Sequence, residues 1–171
     1  MAAMSIEERL QRLEDRAAID DLNVRYFLAA DGDDMTAVAE CFTSDATFSS
    51  SGHVGGQGRQ GIADFIADAR KNMGLTIHTP HYGLYEFGDA GQASGIVGAH
   101  LEMVLAGQAT FGAVRYVDRY RFEGGNWRIA ARNMRTIYIG EWAKCAEVFA
   151  SATPVQWPGI APLPSDYPRR S

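Results

Sequence analysis

Several things are scarce in this chain of 171 residues. It has two cysteines, Cys41 and Cys145, too few for a disulfide scaffold and without the spacing of a zinc motif. It has two lysines, Lys71 and Lys144, so Schiff-base or lysine-base chemistry has almost no candidates. No apolar run reaches the ~18 residues of a membrane helix, and the amino terminus lacks a basic stretch followed by an apolar one. A cytoplasmic location without a membrane partner is therefore expected. Positive charge is also short: a formal net charge of -5 opposes the footprint of a protein that neutralises phosphates, which argues against a nucleic-acid partner. Proline is nearly absent before Pro154, whereas Pro154 to Ser171 holds five of the six prolines and two terminal arginines. Residues 151–171 accordingly read as an irregular arm that crosses a subunit boundary or covers a pocket, attached to a single domain over 1–150. With 46% hydrophobic and 22% charged residues the domain is globular, and its length matches one core.

The first third carries helical signals. Ser5 with Glu8 three residues on forms a capping box, and Ile6, Leu10, Leu13, Ala17, Leu22 and Phe27 follow at helical spacing toward Asp31-Gly32. These residues are expected to form the buried side of a long amphipathic helix, with Glu7, Arg9, Arg12, Glu14 and Asp15 as its solvated face. No internal repeat or heptad is evident. A short helix is expected from about Asp34, with Met35, Val38, Cys41 and Phe42 as its stripe, and then a short strand at Ala46-Thr47-Phe48. Ser49 to Gly61 reads as a glycine-rich loop. It lacks the lysine and the glycine spacing of a phosphate cradle, which leaves a mobile loop or a ligand lid. A third helix is expected over Ile62 to Met73.

The remainder alternates like strands. Leu75 to Phe87, Ala93 to Leu105, Thr110 to Phe122 and Trp127 to Ile139 are separated by turn compositions, which predicts an antiparallel meander. Helices first and a meander second make an α+β fold, in which a strongly curved sheet wraps around three N-terminal helices.

Within the strands a few polar residues stand out. Val114, Tyr116, Asp118, Tyr120 and Phe122 share a face, so Asp118 sits among apolar neighbours and needs a partner. An ion pair with an arginine of the neighbouring strand and a catalytic role both fit. On the last strand Arg132 and Asn133 point to opposite faces, and alternation does not say which is inside. His78 and His81 share one strand, with Pro80 disturbing the alternation between them. Histidine exchanges protons near neutrality, and either ring is a candidate. No third and fourth ligands lie at metal-binding spacing, so no metal is expected. His100 reads as a surface or interface residue. Tyr26 and Asp31, roughly 140° apart on an ideal helix, can still border one cavity.

Taken in order, these pieces resemble the SnoaL-like branch of the nuclear transport factor 2-like superfamily. The resemblance rests on Leu13-Glu14-Asp15-Arg16-Ala17-Ala18-Ile19-Asp20-Asp21-Leu22, Arg25-Tyr26, Asp31-Gly32-Asp33 and Phe42-Thr43-Ser44-Asp45-Ala46, then His78, Tyr116-Val117-Asp118 and Gly125-Asn126-Trp127-Arg128-Ile129-Ala130-Ala131-Arg132. It implies a cone of curved antiparallel sheet plugged by helices, a cystatin-type α+β barrel with an apolar pocket, assembled as a homo-oligomer through the outer faces of its sheets. The branch includes scytalone dehydratase, bile-acid 7α-dehydratase and hexachlorocyclohexane dehydrochlorinase, which are lyases without a cofactor. By that resemblance His78 is the general base, Asp31 holds its tautomer, Tyr26 donates a hydrogen bond to substrate and Arg132 stabilises developing negative charge. His81, Asp118, Asn133, Tyr116 and Phe48 complete the expected substrate-binding set. The expected activity is a dehydratase-like or dehydrohalogenase-like lyase, or an isomerase, acting on a hydrophobic ring-containing small molecule. Because the superfamily hosts other chemistries and members with none, a non-catalytic ligand-binding or interaction protein is the alternative. An epoxide-hydrolase site would use Asp118 with Arg132 around a water, and an isomerase an aspartate base deep in the cone.

Overall fold

The computed structural model describes residues 4–51, 53–89 and 91–167. Gly52 of the glycine-rich stretch and the terminal Arg169 and Arg170 lie outside the described residues. The chain opens with α1 (Ile6–Asp31), started by the expected capping box: the Ser5 hydroxyl accepts from the Glu8 N–H at 3.1 Å, and the Glu8 carboxylate accepts from the Ser5 N–H at 2.7 Å. Its second half is buried through Ile19, Leu22, Tyr26 and Phe27. The first half departs from expectation, since Ile6, Leu10 and Leu13 are 76%, 55% and 65% exposed. At 100° per residue these three lie on the opposite side of the helix from Ile19, Leu22 and Tyr26. What faces the sheet in the first half is polar: the Arg12 guanidinium lies 4.4 Å from the Phe87 ring centre, and Asp15 accepts from the Trp127 indole N–H at 2.9 Å.

After α2 (Met35–Glu40), capped by Asp34, the chain enters β1 (Phe42–Ser50) and β2 (His53–Gln57). These pair antiparallel, so most of the expected loop is a hairpin. Its glycines serve close packing: a Cβ on Gly56 would lie 2.8 Å from the Ile62 Cα, and one on Gly55 would lie 2.6 Å from the Phe48 ring. That proximity seats α3 (Gly58–Arg70), which starts and ends about three residues earlier than its apolar pattern suggests.

The four long strands β3 (Met73–Phe87), β4 (Gln92–Leu105), β5 (Gln108–Glu123) and β6 (Asn126–Glu141) form the expected meander. The full order is β2-β1-β6-β5-β4-β3, with β1 parallel to β6 and with β2 and β3 as open edges. Register slips at Met73/Thr76, Pro80/Tyr82, Ala113/Val114 and Arg119/Tyr120 interrupt the ladders and bend the strands into a curved, unclosed sheet. Its concave face packs on α1 and α3 through rows such as Val97, Ala99, Leu101 and Met103, while His100 and Glu102 point outward.

Beyond β6 comes a short helix absent from the sequence reading, α4 (Cys145–Ala150). The arm then folds back onto the domain. Val155 bridges both Ile139 and Leu163, and the Asp166 carboxylate accepts from the Thr136 N–H at 2.9 Å and the Ser51 hydroxyl at 3.0 Å. Trp157, Pro158, Ile160 and Leu163 of the arm lie over a pocket.

Candidate active site

The curvature leaves a cavity of about 610 Å³ between the concave face of the sheet and the helices. Leu101 and Met103 of β4, Met134 of β6, Phe48 of β1 and Phe65 of α3 make an apolar wall, and Trp157 and Leu163 of the arm close over it. Polar side chains gather where α1 ends beside β3. There the Asp31 carboxylate takes two bonds from one residue: Oδ1 lies 2.5 Å from His78 Nδ1, and Oδ2 accepts from the His78 backbone N–H at 2.8 Å. The two bonds fix the ring's position and place a proton on Nδ1. Phe27 stacks on the imidazole at 5.0 Å between ring centres. Nε2 has no protein hydrogen-bond partner among the described residues, and His78 lines the cavity. The same alternation places Thr76 at the cavity, where Arg70 donates to its hydroxyl while pairing with Asp33 at 2.5 Å. That hydrogen bond from Arg70 holds the exposed Asp33 carboxyl below its ordinary range.

A second polar cluster lies behind the cavity. Arg132 and Asp118, both fully buried, form a two-point pair at 2.6 and 3.1 Å across β5 and β6. Tyr120 donates to Asp118 at 2.7 Å, and Asn23 accepts from Arg132 while donating to the Ile19 carbonyl at 2.9 Å and the Tyr120 hydroxyl at 3.1 Å. The guanidinium sits 4.4 Å from the Tyr26 ring centre and 4.6 Å from that of Tyr116, and these two rings stand at the cavity. Burial opposes the charge on Arg132, but Asp118 outweighs it and keeps the guanidinium firmly ionised. Burial likewise pushes the Tyr26 phenol up to about 12, with Arg132 acting against that rise, so Tyr26 remains a neutral donor at physiological pH.

Of the residues singled out in the sequence, His78, Tyr26, Tyr116 and Phe48 line the cavity, and Asp31 holds His78 from behind. Arg132 and Asp118 meet each other rather than the cavity. His81 requires a correction: it is the extra residue of the bulge between Pro80 and Tyr82, exposed, and packed edge-on against His100 with ring centres 4.2 Å apart. Asn133 also stays off the cavity lining, because it alternates with Arg132 and Met134. Arg70, Thr76, Met134, Trp157 and Leu163 were missed as lining residues. Thr76 was findable from its two-residue offset to His78, whereas the arm residues carry no local signal of where they land.

Among the described residues no three His, Cys, Asp or Glu side chains come together as a metal set. No described helix is long and apolar enough to cross a membrane. A second hollow of about 570 Å³, between α1, α2 and the β5–β6 turn, is lined by Arg25, Glu40 and Arg128 and has no histidine.

Comparison with known proteins places this geometry. The SnoaL-like domain family matches residues 11–133. The crystal structure of LinA superposes with a TM-score of 0.74 at 28% identity, over 79% of this chain and 94% of that one. Hexachlorocyclohexane dehydrochlorinase LinA-type3 from Novosphingobium barchaimii LL02 does so with 0.74 at 25% identity, over the same shares. A protein described as a putative scytalone dehydratase from Novosphingobium aromaticivorans shares the fold, with a TM-score of 0.71 at 16% identity over 88% of this chain and 97% of that one. A search of curated proteins finds no match. The chain belongs to the SnoaL-like family of the nuclear transport factor 2-like superfamily.

Proposed function

We propose that this protein is a lyase without a cofactor requirement, eliminating water or halide from a hydrophobic, ring-containing small molecule held in the cavity. One observation carries the reading. The Asp31 carboxylate engages both the ring and the backbone of His78, while Nε2 is left without a protein partner at the wall of an apolar cavity. A neutral imidazole so held is a general base. Nε2 takes a proton from carbon, the C–H electron pair becomes the new double bond, and the bond to the leaving group breaks with its electrons. Halide departs as the anion, whereas hydroxide leaves as water by taking back the proton that Nε2 of the His78 imidazolium has accepted. Asp31 stabilises the imidazolium formed. The Tyr26 hydroxyl, kept protonated by burial, supplies the hydrogen bond to the departing group. Arg132 is a positioning residue: paired with Asp118 and packed against the Tyr26 and Tyr116 rings, it fixes the wall from which that donor works. The apolar lining excludes water and strengthens each of these interactions.

The likeness to LinA, a dehydrochlorinase by its name in related structures, supports elimination over isomerisation. An isomerase would share the first proton transfer and return the proton to another carbon. The test is turnover of neutral cyclic halides and of cyclic alcohols bearing an acidified neighbouring C–H, for the wild type and for His78→Ala and His78→Gln. The expected result is about 10²–10⁴-fold loss of turnover in both variants with binding retained. Equal turnover in the variants removes His78 from the role. Tight binding with no turnover by the wild type replaces the lyase with a ligand-binding protein.

A further inference from the structure

The outward side of α1 carries apolar residues in both halves, separated by Asp20 and Asp21. Ile6, Leu10, Leu13, Ala17, Val24 and Leu28 fall within about 60° of arc on an ideal helix, directly opposite the buried Ile19, Leu22 and Tyr26. All six are exposed, Leu28 to 68% and Val24 to 44%. Exposed leucines occur singly on most surfaces, but a continuous stripe at i, i+4, i+7 and i+11 is the pattern of a helix that packs on another helix.

The charges beside the stripe indicate what covers it. Glu7, Glu14 and Asp21 run along one edge, and Arg9 and Arg16 run along the other. Two copies of this helix laid antiparallel about a two-fold axis bring like edges together, arginine against arginine. Laid parallel about a two-fold axis, they bring each basic edge against the partner's acidic edge. Arg9 then faces the partner's Glu14, a step of five residues, the offset at which the flanking charges of parallel two-stranded coils pair. Arg16 stands at the same step from Asp21 but donates within its own chain to the Gly83 carbonyl at 3.4 Å. Asp20 would interrupt the seam, but its carboxylate is turned to the Tyr85 hydroxyl at 2.7 Å.

We propose that α1 is a dimerisation helix that pairs in parallel with α1 of a second copy through the stripe from Ile6 to Ala17. This surface is separate from the sheet's outer face, where the family resemblance puts assembly, and it does not depend on the reading of the cavity.

Sedimentation equilibrium of the full chain tests it. The expected result is a concentration-dependent dimer. Leu13→Glu raises its dissociation constant about a hundredfold, since a leucine is lost from the seam on both sides. Leu13 is exposed in the single chain, so the variant retains the wild-type circular dichroism spectrum. Arg9→Glu and Glu14→Arg each weaken the dimer, and the double variant regains wild-type affinity. Leu13→Cys in a Cys145→Ser background forms a disulfide-linked dimer on oxidation. A wild type that stays monomeric at all attainable concentrations overturns the proposal, as does an assembly that Leu13→Glu leaves unchanged. A dimer that responds to Leu13→Glu but gives no disulfide in the cysteine variant overturns the parallel register.

Discussion

Two of the domain's pairs of a carboxylate with a nitrogen base or cation, Asp118–Arg132 behind the cavity and Asp31–His78 at its wall, are built differently. Asp118 and Arg132 are sealed: neither side chain has exposed surface, and Tyr120 and Asn23 take up bonding capacity on both partners. Asp31 and His78 are half open, with each carboxylate oxygen bonded to one of its partner's nitrogens and the other ring nitrogen left without a protein partner, among the described residues, on a residue that lines the cavity. Arg132 Nη1 has no hydrogen-bond partner among the described residues, but it is buried and neither member of the pair lines the cavity, so the pair's contribution is to shape. A half-open pair gives up some bonding in order to keep a proton-accepting atom available. Under the proposed function the comparison gives stability to one pair and chemistry to the other, and substitutions can separate the two.

The largest effect is expected from Arg132→Met. It strands the Asp118 carboxylate in the interior and should lower unfolding free energy by about 3–5 kcal/mol, measured by urea denaturation. Adding Asp118→Leu to the same chain should restore much of that loss, because the penalty belongs to the unpaired charge. If the single variant is as stable as the wild type, the pair is not sealed and the contrast fails. Next comes Asp31→Asn, expected to cut turnover about 10²–10⁴-fold while the urea midpoint stays near that of the wild type. A large loss of stability there would make the half-open pair structural as well.

The third effect is a pH effect. The folded Tyr26 phenol ionises near 12 against an ordinary value of 10, so between these pH values the unfolded chain releases a proton that the folded chain keeps. Stability from this group is thus complete below pH 10 and declines as pH rises to about 12, by roughly 3 kcal/mol in all. Tyr26→Phe should lose that part of the alkaline decline, read from urea midpoints at pH 9 and pH 11. Burial raises Tyr116 and Tyr120 in the same direction, so some decline persists in the variant. The smallest effect is that of Trp157→Ala in the arm. It should raise KM about tenfold with little change in kcat, because the residue walls the cavity and touches neither pair.

How far the sequence reached differs between elements for identifiable reasons. The Ser5–Glu8 cap and the strand alternation of β4 are local signals, and both elements are found where they were read. The parallel seating of β1 on β6 is a contact between segments about 85 residues apart, for which no local spacing speaks. Ile6, Leu10 and Leu13 have helical periodicity, which says that they share a side but not that the side is inward. In the site, His78 was separable from His81 only through the bulge after Pro80, and a bulge depends on the partner strand. Asp31 and His78 were proposed as partners on resemblance alone, since they are 47 positions apart with α2, β1, β2 and α3 between them.

The family match ends at residue 133, within β6, yet the cavity does not end there. Met134, Trp157, Pro158, Ile160 and Leu163 supply a wall from beyond that point, and Asp166 ties their segment down to Ser51 and Thr136. The cavity is thus assembled from two stretches, a frame within the family match that holds Asp31 and His78 and a tail beyond it that bonds to neither. Substitutions in the tail can therefore reshape what the cavity admits, with Asp31 and His78 left as they stand.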